Sequence, residues 1–215
     1  MRKKSYTKEF HHPLIIRLTH WINAVALLVM ITSGLRIYNA SPLFGFFFPR
    51  NLTLGGWLGG ARQFHFFAMW VFAANGIIYI LYNTISRHGR KTTLFNGGDI
   101  SGILPMIKYY LRIRKDHPPQ KKYNPLQKLA YTSIPLAGLG SIVSGIAIYW
   151  PVQFSSITAM LGGYEYARGW HFIFTAAFVF FIAGHLVMVA IAGWQNFLSM
   201  ITGWRKFPVP QTPAE

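Results

Sequence analysis

Apolar residues along this chain fall into four long runs separated by polar, basic segments. The first run lies between Arg17 and Arg36, the second follows Arg62, the third follows Lys128 and stops at Pro151, and the fourth follows Arg168. Each is close to the roughly 20 residues a helix needs to cross a bilayer core of about 30 Å. The pattern predicts an all-α membrane protein, one domain over residues 1–215, with a four-transmembrane-helix bundle whose helices lie at about 14–37, 63–86, 128–150 and 168–194. Arg2, Lys3 and Lys4 precede the first run as they would in a signal peptide. Its apolar part is too long for that and no small-residue cleavage site follows, so the run is expected to be retained.

The loop 87–127 carries a further pattern. Asp99 stands before Ile103, Met106, Ile107 and Tyr110 at helical spacing, with Lys108, Arg112 and Arg114 on other faces. This predicts an amphipathic helix lying in the membrane plane and capped by Asp99. A solvated basic loop with some helix is the other reading.

Charge sharpens the picture. Only 12% of residues are charged, about half the share of an average soluble domain. With 21 Lys and Arg against 5 Asp and Glu, the net charge is +16. On a polar domain that excess would suggest nucleic acid. Here the cations collect where the apolar runs end, so the expected partner is membrane lipid and no nucleic acid. Five cations precede the first span, ten lie from Arg87 to Lys128, and Arg205 and Lys206 follow the last, leaving only Arg36, Arg50, Arg62 and Arg168 for the other side. The positive-inside rule therefore places both termini and the 87–127 loop in the cytoplasm, and the aromatic Tyr38–Trp57 segment at the outer interface. The absence of cysteine excludes disulfides, thiolate zinc sites, iron–sulfur clusters and covalently attached haem.

Four of the eight histidines, His11, His12, His88 and His117, lie in the basic segments, where a solvated ring is expected. His20, His65, His171 and His185 lie inside the spans, where an ionisable group is costly and marks a candidate site. Fourteen residues separate His171 from His185, a rise of about 21 Å and nearly four full turns, so one helix presents an imidazole on the same face at each membrane level. With alternating helix directions, His20 is expected to meet His185 at the inner level and His65 to meet His171 at the outer one. Two imidazoles from facing helices suit a six-coordinate b-type haem iron built for electron transfer. Zinc would need further ligands that the spans lack. Copper is not excluded by residue type, and a haem-free scaffold with histidines hydrogen-bonded across helices is the remaining reading.

Arg17, Arg62 and Arg168 each precede one of these histidines by three residues, on the same helical face. They suit haem propionates, or they anchor the helices at the interface. Gly34, Gly76, Gly138, Gly140, Gly145 and Gly184 allow helices to approach one another or a macrocycle to enter. A short internal echo, Ser33-Gly-Leu-Arg-Ile-Tyr38 and Ser144-Gly-Ile-Ala-Ile-Tyr149, reads either as a duplicated helix pair or as similar packing against the outer cofactor.

These motifs carry a resemblance over nearly the whole chain. Arg17-Leu-Thr-His20-Trp21, Arg62-Gln-Phe-His65-Phe66, Lys122-Tyr-Asn-Pro-Leu-Gln-Lys128 and the His171–His185 spacing resemble the four-helix di-haem cytochrome b subunits of bacterial respiratory oxidoreductases. That group includes the membrane anchors of formate dehydrogenase, NiFe hydrogenase and thiosulfate reductase, and cytochromes that serve periplasmic molybdoenzymes. The resemblance implies two haem b groups in a protein of the bacterial inner membrane, and electron transfer between a periplasmic oxidoreductase subunit and the quinone pool, ubiquinone or menaquinone, in either direction. It also implies that Asn124, with Gln127 and Lys128 close by, lies at the quinone site. Pro125 and Leu126 depart from the small residues of the formate dehydrogenase type, and a helix cap is the plain alternative for Asn124. A related group of single-subunit cytochromes with the same histidine spacing implies a second function, a stand-alone quinone reductase that oxidises superoxide.

Overall fold

The structure is a computed structural model and describes residues 6–85, 95–119 and 124–208. Among the described residues two strands, β1 (Tyr6–Phe10) and β2 (Trp204–Pro208), bracket seven helices: α1 (Leu14–Ala40), α2 (Leu58–Ile85), α3 (Ile100–Tyr110), α4 (Pro125–Tyr149), α5 (Ser155–Met160), α6 (Tyr164–Ala192) and α7 (Trp194–Thr202). Short 3-10 turns occupy Arg50–Leu52 and Gly97–Asp99. Four helices, α1, α2, α4 and α6, are long and apolar enough to cross a membrane, with mean hydropathy from 1.5 to 2.4 in their most apolar windows. At most 24% of any such window is buried inside the protein. Apolar side chains facing outward suit a hydrocarbon solvent, in which helices satisfy their own backbone groups.

Helices α4 and α6 begin before their apolar runs because their first turns are polar but helix-compatible. Helix α4 starts at Pro125, where proline lacks only a donor that the first turn would leave free, and Asn124 caps it. Its Oδ1 accepts from Gln127 N at 2.9 Å while Gln127 Oε1 accepts from Asn124 N at 3.0 Å, a reciprocal capping box. Helix α6 starts four residues before the expected 168, its first turns carrying an Arg168–Glu165 ion pair at 2.8 Å. The amphipathic helix of the basic loop is present as α3, but Asp99 does not cap it through its side chain. Asn96 makes the capping box instead, with Asp99 returning the bond to Asn96 N at 3.0 Å.

The chain divides into two compact units. One comprises residues 1–79 and 183–215. In it, β1 and β2 pair antiparallel with Lys8 opposite Lys206 and Phe10 opposite Trp204, a sheet the all-α expectation did not contain. Asn75, 6% exposed, donates through Nδ2 to Thr19 O at 2.7 Å and ties α2 to α1. Trp21 Nε1 donates to Met200 O at 3.0 Å, tying α1 to α7. The other unit is residues 80–182, in which α3 docks on α4. Gly102 leaves no room for a side chain there, since a Cβ would stand 2.6 Å from Pro125 Cγ. Lys128 Nζ meets Asp99 at 2.9 and 3.1 Å, with both side chains largely buried. Lys122, Tyr123 and His88, with the cations Arg87 to Lys91, lie outside the described residues.

Candidate functional site

In the first unit α1 and the end of α6 bring two span histidines together. The His20 and His185 rings are centred 5.9 Å apart with planes tilted by 56°. A metal–imidazole bond of about 2.1 Å, plus about 1.1 Å from nitrogen to ring centre, would place two rings on opposite sides of one metal about 6.4 Å apart. The observed spacing is close to that value. Arg17, one turn before His20, donates through Nη1 to Ile201 O at the last turn of α7. Its Nε is buried without a hydrogen-bond partner among the described residues. A buried guanidinium N–H without an acceptor leaves one bond for a carboxylate to complete, which fits a propionate.

His65 is seated against α1. Its Nδ1 lies 3.0 Å from Met30 O and 3.3 Å from Ser33 Oγ. A carbonyl oxygen only accepts, so Nδ1 carries the proton and the Nε2 lone pair is left for a ligand. A Cβ on Gly34 would stand 3.4 Å from His65 Cε1, so the bare glycine backbone forms the floor of the seat.

The second unit repeats this arrangement. His171 Nδ1 lies 3.1 Å from Ser141 O and 3.1 Å from Ser144 Oγ, and a Cβ on Gly145 would stand 3.4 Å from His171 Cε1. Ser33 and Ser144 are each the twentieth residue of their helices, and His65 and His171 each the eighth. In both, the carbonyl acceptor comes from the residue three before the serine. Neither serine stood among the expected site residues, although the Ser-Gly echo was the signal that marked them.

The remaining candidates take other partners. Arg62 lies with its guanidinium 5.9 Å from the Phe66 ring centre. Arg168 is paired with Glu165 and sits 6.0 Å from the Tyr164 ring centre. Asn124 is 3% exposed, with Oδ1 in the capping box and Nδ2 donating to Tyr110 Oη at 3.0 Å. Gln127 is the other half of that box, and Lys128 holds Asp99. These three form the frame that joins α3 to α4. Among the described residues no three His, Cys, Asp or Glu side chains group as a metal set. What the structure offers is one facing histidine pair and two matched single seats, a donor set of neutral imidazole nitrogens that fits haem b.

A family model described as prokaryotic cytochrome b561 matches residues 11–203. A relative from Azospira oryzae, named as the YedZ1 subunit of a protein-methionine-sulfoxide reductase, is 41% identical over 192 residues, covering 89% of this chain and 96% of its own. Proteins from Cupriavidus necator and Bradyrhizobium diazoefficiens, named as Ni/Fe-hydrogenase B-type cytochrome subunits, are 24% and 25% identical. They cover 95% and 89% of this chain, and 89% and 83% of their own lengths.

Proposed function

The chain belongs to the prokaryotic cytochrome b561 family, and from that premise we propose that it relays electrons through two b-type haems between the quinone pool and a periplasmic oxidoreductase subunit. The observation that carries this reading is the His20–His185 pair, two imidazoles from different helices at a spacing suited to one shared iron. His65 and His171 are proposed as the second pair, on their matched depth in the sequence and their matched seats.

Haem bound at these residues supplies reversible one-electron transfer. The chain supplies the rest. Met30 O and Ser141 O accept hydrogen bonds from Nδ1–H of His65 and His171, which keeps the proton on Nδ1 and would leave Nε2 as the ligating nitrogen. Gly34 and Gly145 let the rings lie against helix backbone, and Arg17 Nε, without a partner among the described residues, would offer a charge-assisted bond to a propionate. Asn124, Gln127 and Lys128 enter this reading as the frame of the cytoplasmic end of α4, because their polar groups are engaged with one another, with Tyr110 and with Asp99.

The stronger similarity to the methionine-sulfoxide reductase subunit, 41% against 24% and 25% for the hydrogenase subunits, favours a partner that reduces oxidised methionine; we propose that this partner is of the molybdoenzyme type that the motif resemblance implies. That reaction takes two electrons and two protons, breaks the S=O bond and releases water. The proposed flow is therefore from quinol to the partner, one electron at a time. Purified protein should hold two b-type haems per chain, and quinol-driven reduction of methionine sulfoxide should need both this chain and its partner. A colourless preparation after haem supplementation would refute the reading. Fast quinone reduction by superoxide with no partner present would replace it with the stand-alone quinone reductase.

A further inference from the structure

The paired strands in the first unit place charge where it costs stability. Residues directly opposite in an antiparallel ladder share a face, as do alternate positions along a strand. One face thus carries Lys8 beside Lys206, bordered by Phe10 and Trp204, whose rings pack edge to face with centres 5.4 Å apart. Like charges directly across a ladder repel. Glu9, the acidic residue of β1, stands opposite Arg205 on the other face and cannot serve the lysines. Asp99 and Glu165 are already paired with Lys128 and Arg168.

Beside the lysine face is a cleft of about 410 Å³ lined by Lys8, Gln195, Leu198, Thr202, Trp204 and Lys206. Helix α7 supplies Gln195, Leu198 and Thr202, and it begins directly after the turn at Gly193 that ends the membrane-spanning α6. The cleft therefore lies where a spanning helix stops, at the level of lipid headgroups. It combines two cations with an apolar wall and a tryptophan, the residue type that favours that level. An anion between the lysines would turn their repulsion into a shared attraction.

We propose that this cleft binds one anionic phospholipid, its phosphate between Lys8 and Lys206 and an acyl chain along Leu198 and Trp204. The lipid then clamps β1 to β2 and so holds the segments that flank α1 and α7 together. The commitment to a phospholipid over a free anion rests on the apolar wall and the position at the end of α6.

The test uses full-length protein delipidated in a neutral detergent. Native mass spectrometry and thermal unfolding are followed on adding phosphatidylglycerol, phosphatidylcholine of the same chain length, or inorganic phosphate. Phosphatidylglycerol should bind one to one and raise the unfolding temperature, and the other two should not. Lys8→Gln and Lys206→Gln should each weaken phosphatidylglycerol binding about fivefold, the loss expected for one cation at a membrane surface. Without lipid, the same substitutions should raise the unfolding temperature, because the cross-strand repulsion is gone. Lys206→Arg should retain binding, and Arg114→Gln should leave it unchanged. Equal stabilisation by the two lipids, full binding by the glutamine variants, or the same effect from inorganic phosphate alone would overturn the proposal.

Discussion

Replacing Ser33 and Ser144 by alanine separates tuning of a histidine ligand from its attachment. Both serines are fully buried. Each hydroxyl donates its hydrogen to the carbonyl four residues back, Val29 and Gly140, and presents a lone pair to the histidine Nδ1. Those carbonyls keep their helical N–H partners, so alanine strands no buried group and gains slightly in helix propensity. Met30 O and Ser141 O still hold the rings, so fold and haem content should be unchanged. What is lost is the second acceptor on Nδ1–H, which makes the imidazole a stronger donor and favours oxidised iron. A neutral hydrogen bond is worth about 1 kcal/mol net, and a shared one whose strength differs between the two oxidation states about half that. At about 59 mV per tenfold change for one electron, each substitution should raise the outer-haem potential by about 20 mV and the double variant by about 40 mV. Potentiometric titration of purified protein, followed at the b-type absorbance band, measures this. A fall in potential, no shift in the double variant, or an equal shift in both haems would refute the reasoning.

Histidine substitutions test the pairing: His20→Ala or His185→Ala should each remove the same haem and leave the other, as should His65→Ala or His171→Ala for the second, read as pigment per chain. If His20→Ala and His185→Ala abolish different redox transitions, the pairing is wrong. Asp99→Asn should lower stability by about 1–3 kcal/mol in denaturant unfolding, because it leaves Lys128 largely buried beside a neutral amide; a loss below a few tenths would show the pair to be solvent-screened. Burial raises the Tyr110 phenol above its ordinary value of 10.0, with the Asn124 amide pulling it back down and Tyr109 adding to the rise. The sign follows from a raised folded value: its stabilisation is present below pH 10.0 and is lost as pH climbs through the elevated value, so Tyr110→Phe should flatten that part of the alkaline unfolding profile.

The spans were readable because the bilayer imposes a length and a composition that few other environments demand. Their ends were less so. Arg62, Glu165 and Arg168 interrupt the apolar pattern yet sit comfortably in first helical turns, so α2 and α6 run further than hydrophobicity alone marks. The β1–β2 sheet was invisible for a different reason. YTKEF and WRKFP have no apolar alternation, and their pairing joins segments almost 200 residues apart, which no local pattern announces. Helix α7 was missed because it follows α6 after a single glycine, Gly193 at φ +83°, which turns the chain without a polar break.

The histidines and their supports differ in legibility because they differ in cost. An imidazole inside a membrane span is expensive enough to need a reason, and His20, His65, His171 and His185 declared themselves on that ground. A serine is cheap there, since its hydroxyl folds back onto its own helix, as both Ser33 and Ser144 do. One such serine therefore says nothing. What gives the two meaning is coincidence of position: each is the twentieth residue of a helix, each precedes a glycine, and each faces a histidine that is the eighth residue of another. Similar packing alone would match distances but has no reason to match register along all four helices. The common register favours a repeated helix pair, the first of the two alternatives that the Ser-Gly echo left open, with one ligand seat carried by each copy.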